Sequence, residues 1–148
     1  MNWFFLLMKG LHVLAAVVWV GGMFFAYLVL RPSLGVLEPN QRMLVHTQVF
    51  RRFFRVVWHA MPLSIVTGFA MIFVPFGGMA YVSPRVNIMM GLGLLMSAIF
   101  AFIYFGPYKR FQRTTDKAAM VASLDTVRKL IGVNLLIGLA TIVLGATG

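Results

Sequence analysis

Four apolar runs separated by short polar stretches frame this chain: Trp3 to Leu30, Val56 to Phe76, Val86 to Tyr108 and Leu130 to Gly148. A helix that crosses a bilayer needs roughly 20 mostly apolar residues, and each run approaches or exceeds that length. The pattern predicts an all-α fold, an integral membrane antiparallel four-helix bundle. One domain covers residues 1–148, with spans at about 3–30, 53–76, 86–108 and 129–147. Short connections make consecutive helices antiparallel neighbours.

The polar stretches refine these limits. Arg31-Pro32 closes the first helix, because proline lacks the donor that would continue it and restrains the residue before it. Glu38-Pro39-Asn40 reads as a helix start with Asn40 as candidate cap. From Gln41 to Arg55 apolar and basic residues mix, which predicts a helix on the membrane interface or an extension of the second span. Pro62 is expected to kink that span. Pro75 to Gly78 and Ser83-Pro84 are turn signals. Gly106-Pro107 weakens the end of the third helix, although Tyr108 to Arg113 could continue it, and Asp116 to Lys129 reads as a short amphipathic segment.

Composition agrees with the pattern. With 61% hydrophobic and 11% charged residues and a mean hydropathy of +0.91, a water-soluble domain is excluded. Little chain remains outside the runs, so chemistry must occur between helices or at their ends. The first run has no basic residue before Trp3 and exceeds the apolar core of a secretory signal, so a permanent helix is expected.

A net charge of +10 raises a nucleic-acid reading, which the distribution of charge removes. Eleven of the thirteen basic residues flank the first and third connections: Arg31, Arg42, Arg51, Arg52 and Arg55 at one, Lys109, Arg110, Arg113, Lys117, Arg128 and Lys129 at the other. By the positive-inside rule these connections are cytoplasmic. The expected location is a bacterial inner membrane, with both termini on the periplasmic side and the lipid bilayer, not nucleic acid, as partner.

Candidate chemistry centres on histidine. The chain has no cysteine, which leaves histidine, methionine and carboxylate as possible metal ligands. His12 lies inside the first run, where an ionisable side chain is a functional-site hypothesis by default. His59 lies on the second, and His46 falls in the basic stretch as a surface residue. His12 could instead donate to a carbonyl of a neighbouring helix or to Asn134. Lys9, His12 and Trp19 share a helix face bordered by small residues, and Arg55 shares one with His59. The glycines and alanines fit helix packing in lipid, or a homodimer seam. At about 1.5 Å per residue, His12 lies roughly 13 Å below the outer face and His59 about 6 Å above the inner one. In a core of about 30 Å this separates them by roughly 11 Å. One haem between them then requires tilt or a kink, and otherwise each needs another partner such as a methionine.

The stretch Lys9-Gly10-Leu11-His12-Val13-Leu14-Ala15-Ala16-Val17-Val18-Trp19-Val20-Gly21-Gly22-Met23-Phe24 resembles the first helix of the CopD-like and HemJ-like bacterial membrane proteins. Those families share a K-x-x-H-[apolar]-W-x-x-G pattern. Lys9, His12, Trp19 and Gly22 occupy the matching positions. The resemblance implies His12 as a haem or metal ligand. It also implies haem b and protoporphyrinogen oxidation on the HemJ-like side, and copper uptake or resistance on the CopD-like side. The HemJ-like pattern has a further histidine on the third helix. This chain has none between Val86 and Tyr108, so His59 would replace it.

The leading expectation is a membrane b-type haem protein in electron transfer or haem-dependent oxidation, with an enzymatic role left open. His12 and His59 would ligate iron, Lys9 or Arg55 would pair with propionates, and Trp19 would line the pocket. A quinone, a porphyrin or a redox protein would be its partner. The alternatives are a copper uptake or resistance protein using His12 with methionines, and a metal-free structural or assembly subunit.

Overall fold

The computed structural model describes residues 3–147. Among them the chain forms four long helices: α1 (Trp3–Val36), α2 (Pro39–Phe76), α3 (Pro84–Arg113) and α4 (Lys117–Ala146). Each is long and apolar enough to cross a membrane, and no strand occurs among the described residues. Exposed side chains such as Val17, Val66, Phe102 and Leu136 form the outer surface that a bilayer would cover.

The helices form a ring in which α1 packs mainly on α2 and α3 on α4, and the ring closes through α1 with α4 and α2 with α3. Two of its seams differ in kind. Between α2 and α3 the contact is aromatic: Phe50, Phe54 and Trp58 interleave with Phe100, Tyr104, Tyr108 and Phe111. Numbering falls on one helix as it rises on the other, so the pair is antiparallel. These rings hold the two backbones apart. Between α1 and α4 glycine lets the chains close in. A Cβ on Gly138 would stand 2.9 Å from Val20 Cγ2 and 3.0 Å from Met96 Cε, and one on Gly132 would stand 2.9 Å from the Tyr27 ring. Gly138→Ala is expected to destabilise the bundle by about 1–3 kcal/mol through overpacking, read as an earlier midpoint in reversible unfolding from detergent micelles.

The helices run further than the apolar pattern predicts. The Gln41 to Arg55 stretch is not a separate interfacial helix, because α2 starts at Pro39 and continues unbroken through Pro62. It thereby adds fourteen residues, about 20 Å, before the span expected from residue 53. Its cap is Glu38, whose backbone N–H donates to Gln41 Oε1 at 3.4 Å; Asn40 already lies in the first turn. Asp116 to Lys129 likewise belongs to α4, where Asp116 caps the helix by accepting from the Ala119 N–H at 3.2 Å. Neither Pro32 nor Pro107 ends its helix. The chain widens into π-helical turns at Phe25–Leu30 and Tyr104–Tyr108 and then resumes. The wider turn relieves the clash between the proline ring and the preceding carbonyls.

Candidate functional site

His12 faces α2. Its Nδ1 lies 2.8 Å from the Ser64 carbonyl oxygen and 3.2 Å from Thr67 Oγ1. A carbonyl only accepts, so Nδ1 carries the proton and donates. Thr67 sends its hydroxyl proton to the Leu63 carbonyl at 2.6 Å, which leaves its oxygen free to accept from the imidazole. In the neutral ring the other nitrogen, Nε2, then bears a lone pair. Nε2 makes no hydrogen bond among the described residues. The carbonyl partner weighed from sequence is thus present, and it orients the ring as metal-bound histidines are usually oriented. Asn134 is engaged elsewhere, with Nδ2 donating to the Met96 carbonyl at 3.2 Å.

A second side chain reaches the same place. A Cβ on Gly68 would stand 3.2 Å from His12 Cε1, the carbon next to Nε2, and 2.9 Å from Met90 Cε. The Met90 methyl and the Nδ1–Cε1 edge of the imidazole therefore both lie against the space that glycine leaves, with α1, α2 and α3 each supplying one residue. Among the described residues no group of three or more His, Asp or Glu could hold a metal ion. A soft ion at His12 would depend on the methionine.

The other expected site residues lie elsewhere. His59 is exposed, and its Nδ1 donates to the Arg55 carbonyl one turn back on its own helix, at 2.7 Å. It precedes Ser64 by five residues and Gly68 by nine, roughly 8 to 13 Å along the helix axis. His59 is thus offset along α2 from the stretch that His12 packs against. Lys9 and Arg55 are exposed. Trp19 is buried in the core, 3% exposed, with no partner for its indole N–H among the described residues. The Phe53 ring lies 3.4 Å from where a Cβ on Gly22 would stand. A cavity of about 540 Å³ occupies the arginine-rich end of the bundle and is lined by neither His12 nor His59.

Ser64 and Gly68 were not singled out from sequence as partners of His12, and Met90 was one of several methionines at membrane depth weighed as soft ligands. One signal could have found them: His12 stands nine residues from Trp3 and Thr67 nine from Phe76, so an antiparallel register sets them level.

The family model described as copper resistance protein D matches residues 47–147. No curated protein and no solved structure was found to match the chain. The matched stretch covers more than half of the chain and begins after α1, so it rests on α2, α3 and α4 independently of the first-helix motif. On that ground the chain, a multi-pass membrane protein by its four helices, belongs to the copper resistance protein D family.

Proposed function

We propose that this protein handles copper within the membrane, and that His12 Nε2 and the Met90 thioether form a transient Cu(I) site between α1, α2 and α3. The ion is cargo here, not a resident cofactor. The observation that carries the reading is an imidazole oriented through Nδ1, with Nε2 free of hydrogen bonds among the described residues and the Met90 side chain reaching the same glycine, Gly68. Thioether and imidazole are soft or borderline ligands suited to Cu(I), and both are neutral, so the loaded site adds a single positive charge at membrane depth. The family match supports copper over haem b. The His12 surroundings also favour a small ion, since the imidazole packs directly against α2. By the positive-inside rule the arginine-rich end lies in the cytoplasm and both termini lie outside, in a bacterial inner membrane. His12 then sits in the outward half, where it would receive copper from outside.

The test is a Cu(I) titration of the detergent-purified protein against a chromophoric competitor. Wild type is expected to bind, and Met90→Leu to bind about 100-fold more weakly, since losing a ligand belongs at or beyond the upper end of the loss for a group that only orients one. Equal affinity in Met90→Leu removes the methionine from the site. Absence of Cu(I) binding together with a Soret band and sharp reduced-minus-oxidised bands would return the function to a b-type haem protein.

A further inference from the structure

At the end of the bundle remote from His12, α1, α2 and α4 surround the cavity of about 540 Å³. Each helix contributes one arginine to its wall: Arg31, Arg42 and Arg128. One carboxylate lines it, Asp125, and that group is already paired with Arg128 and Lys129. The Arg31 guanidinium has no ion pair or hydrogen bond among the described residues. Arg42 uses Nε on the Leu37 carbonyl at 3.0 Å, and its two Nη groups make no hydrogen bond among them. The wall therefore carries a surplus of two positive charges. Arg31 is within Coulombic reach of Arg128, and His46, also on the wall, is within reach of Arg31 and Arg42. Guanidinium groups that outnumber the one carboxylate among them are matched in geometry to phosphate.

The rest of the wall is largely apolar. Ala26 and Leu30 come from the π-helical turn of α1, and Val121 and Leu124 from α4. A free phosphate would use the arginines and leave this surface in water. A phospholipid uses both parts, with its headgroup among the guanidiniums and the first carbons of its chains against Leu30 and Leu124. A general attraction of basic loops to anionic membranes does not account for the arrangement. Arg110 and Arg113 lie outside this wall, whereas the three cavity arginines come from three helices and face one concave space.

We infer that this cavity binds a phosphate-headed anion, supplied by an anionic phospholipid of the surrounding leaflet. The site shares no residue with the His12–Met90 pair, so its fate leaves the copper reading unchanged. The test is native mass spectrometry of the full chain released from detergent after incubation with phosphatidylglycerol, with phosphatidylcholine, or with inorganic phosphate. One phosphatidylglycerol per chain is expected to be retained. Retention should fall about 10–30-fold in Arg31→Gln/Arg42→Gln, on the order expected for two basic residues at a lipid headgroup, and stay unchanged in Arg110→Gln/Arg113→Gln. Ala26→Phe, which fills the cavity and leaves its charge alone, should abolish retention; if the arginine variant does not fold, this variant decides. Equal losses in the two double variants would reduce the effect to diffuse attraction. Retention by Ala26→Phe, or competition by millimolar phosphate equal to that of the lipid, would overturn the lipid site.

Discussion

His12→Gln is expected to weaken Cu(I) binding about 100-fold while shifting thermal stability little. The glutamine amide can still offer an N–H to the Ser64 carbonyl that now accepts from Nδ1 at 2.8 Å, so the contact between α1 and α2 has a substitute donor. What the variant lacks is the sp² nitrogen lone pair of Nε2, which has no hydrogen bond among the described residues. Losing a group that merely orients a metal ligand costs 10–100-fold in affinity, and losing the ligand itself belongs at or beyond the upper end. Thr67→Val gives the graded comparison. It removes the oxygen 3.2 Å from Nδ1 and retains the Ser64 carbonyl, so a loss of about 10-fold is expected. His46→Ala and His59→Ala should bind as wild type, because neither side chain lies beside His12. A competition titration with the same chromophoric chelator reads all four. Wild-type affinity in His12→Gln would remove the proposed site, and a loss in His59→Ala equal to that in His12→Gln would require the two histidines to act together.

The number and placement of the helices were legible because the bilayer imposes a length and a composition that single residues do not disturb. The ends were not, and Pro32 and Pro107 show why. Proline signals a missing donor, and the sequence does not say whether the chain answers by stopping or by widening its turn. Here it widens, at Phe25–Leu30 and Tyr104–Tyr108. For the stretch from Gln41 to Arg55 the sequence left two readings open, a helix on the interface or an extension of the second span, and α2 takes the second as one continuous helix. At the site, His12 stood out through the cost of its own polarity. Met90 could not, since a thioether in an apolar helix looks like any packing residue until its neighbours are known. Gly68 was equally silent: its role is the room it leaves. The first-helix resemblance and the family match cover different parts of the chain, residues 9–24 and 47–147. The first helix resembles both the CopD-like and the HemJ-like proteins, and the family match supplies the CopD side from separate residues.

Phe54→Ala is expected to be the most damaging single truncation in the bundle, costing about 3 kcal/mol. Phe54 is 1% exposed and stands at the centre of the aromatic seam. Its ring centroid lies 4.4 Å from that of Tyr108 and 5.6 Å from those of Phe100 and Tyr104. In water such a change would also forfeit the transfer of the ring out of solvent. Between helices in lipid that gain is absent, because the separated helix would bury the same ring among acyl chains. What remains is the cavity: the facing rings lose their partner, and a rigid aromatic cluster relaxes only partly into the gap. The figure therefore belongs near the lower end of the range for buried phenylalanine. At this seam α2 and α3 meet through side chains, and the glycine contact between the two helices, Gly68 with Met90, lies further along the pair. Phe102→Ala is the matched control, because Phe102 is 62% exposed on the same helix as Phe100 and should change stability by less than about 0.5 kcal/mol. Unfolding in mixed micelles with a graded fraction of denaturing detergent gives both values. Equal midpoints for the two variants would mean that the aromatic seam does not hold α2 to α3.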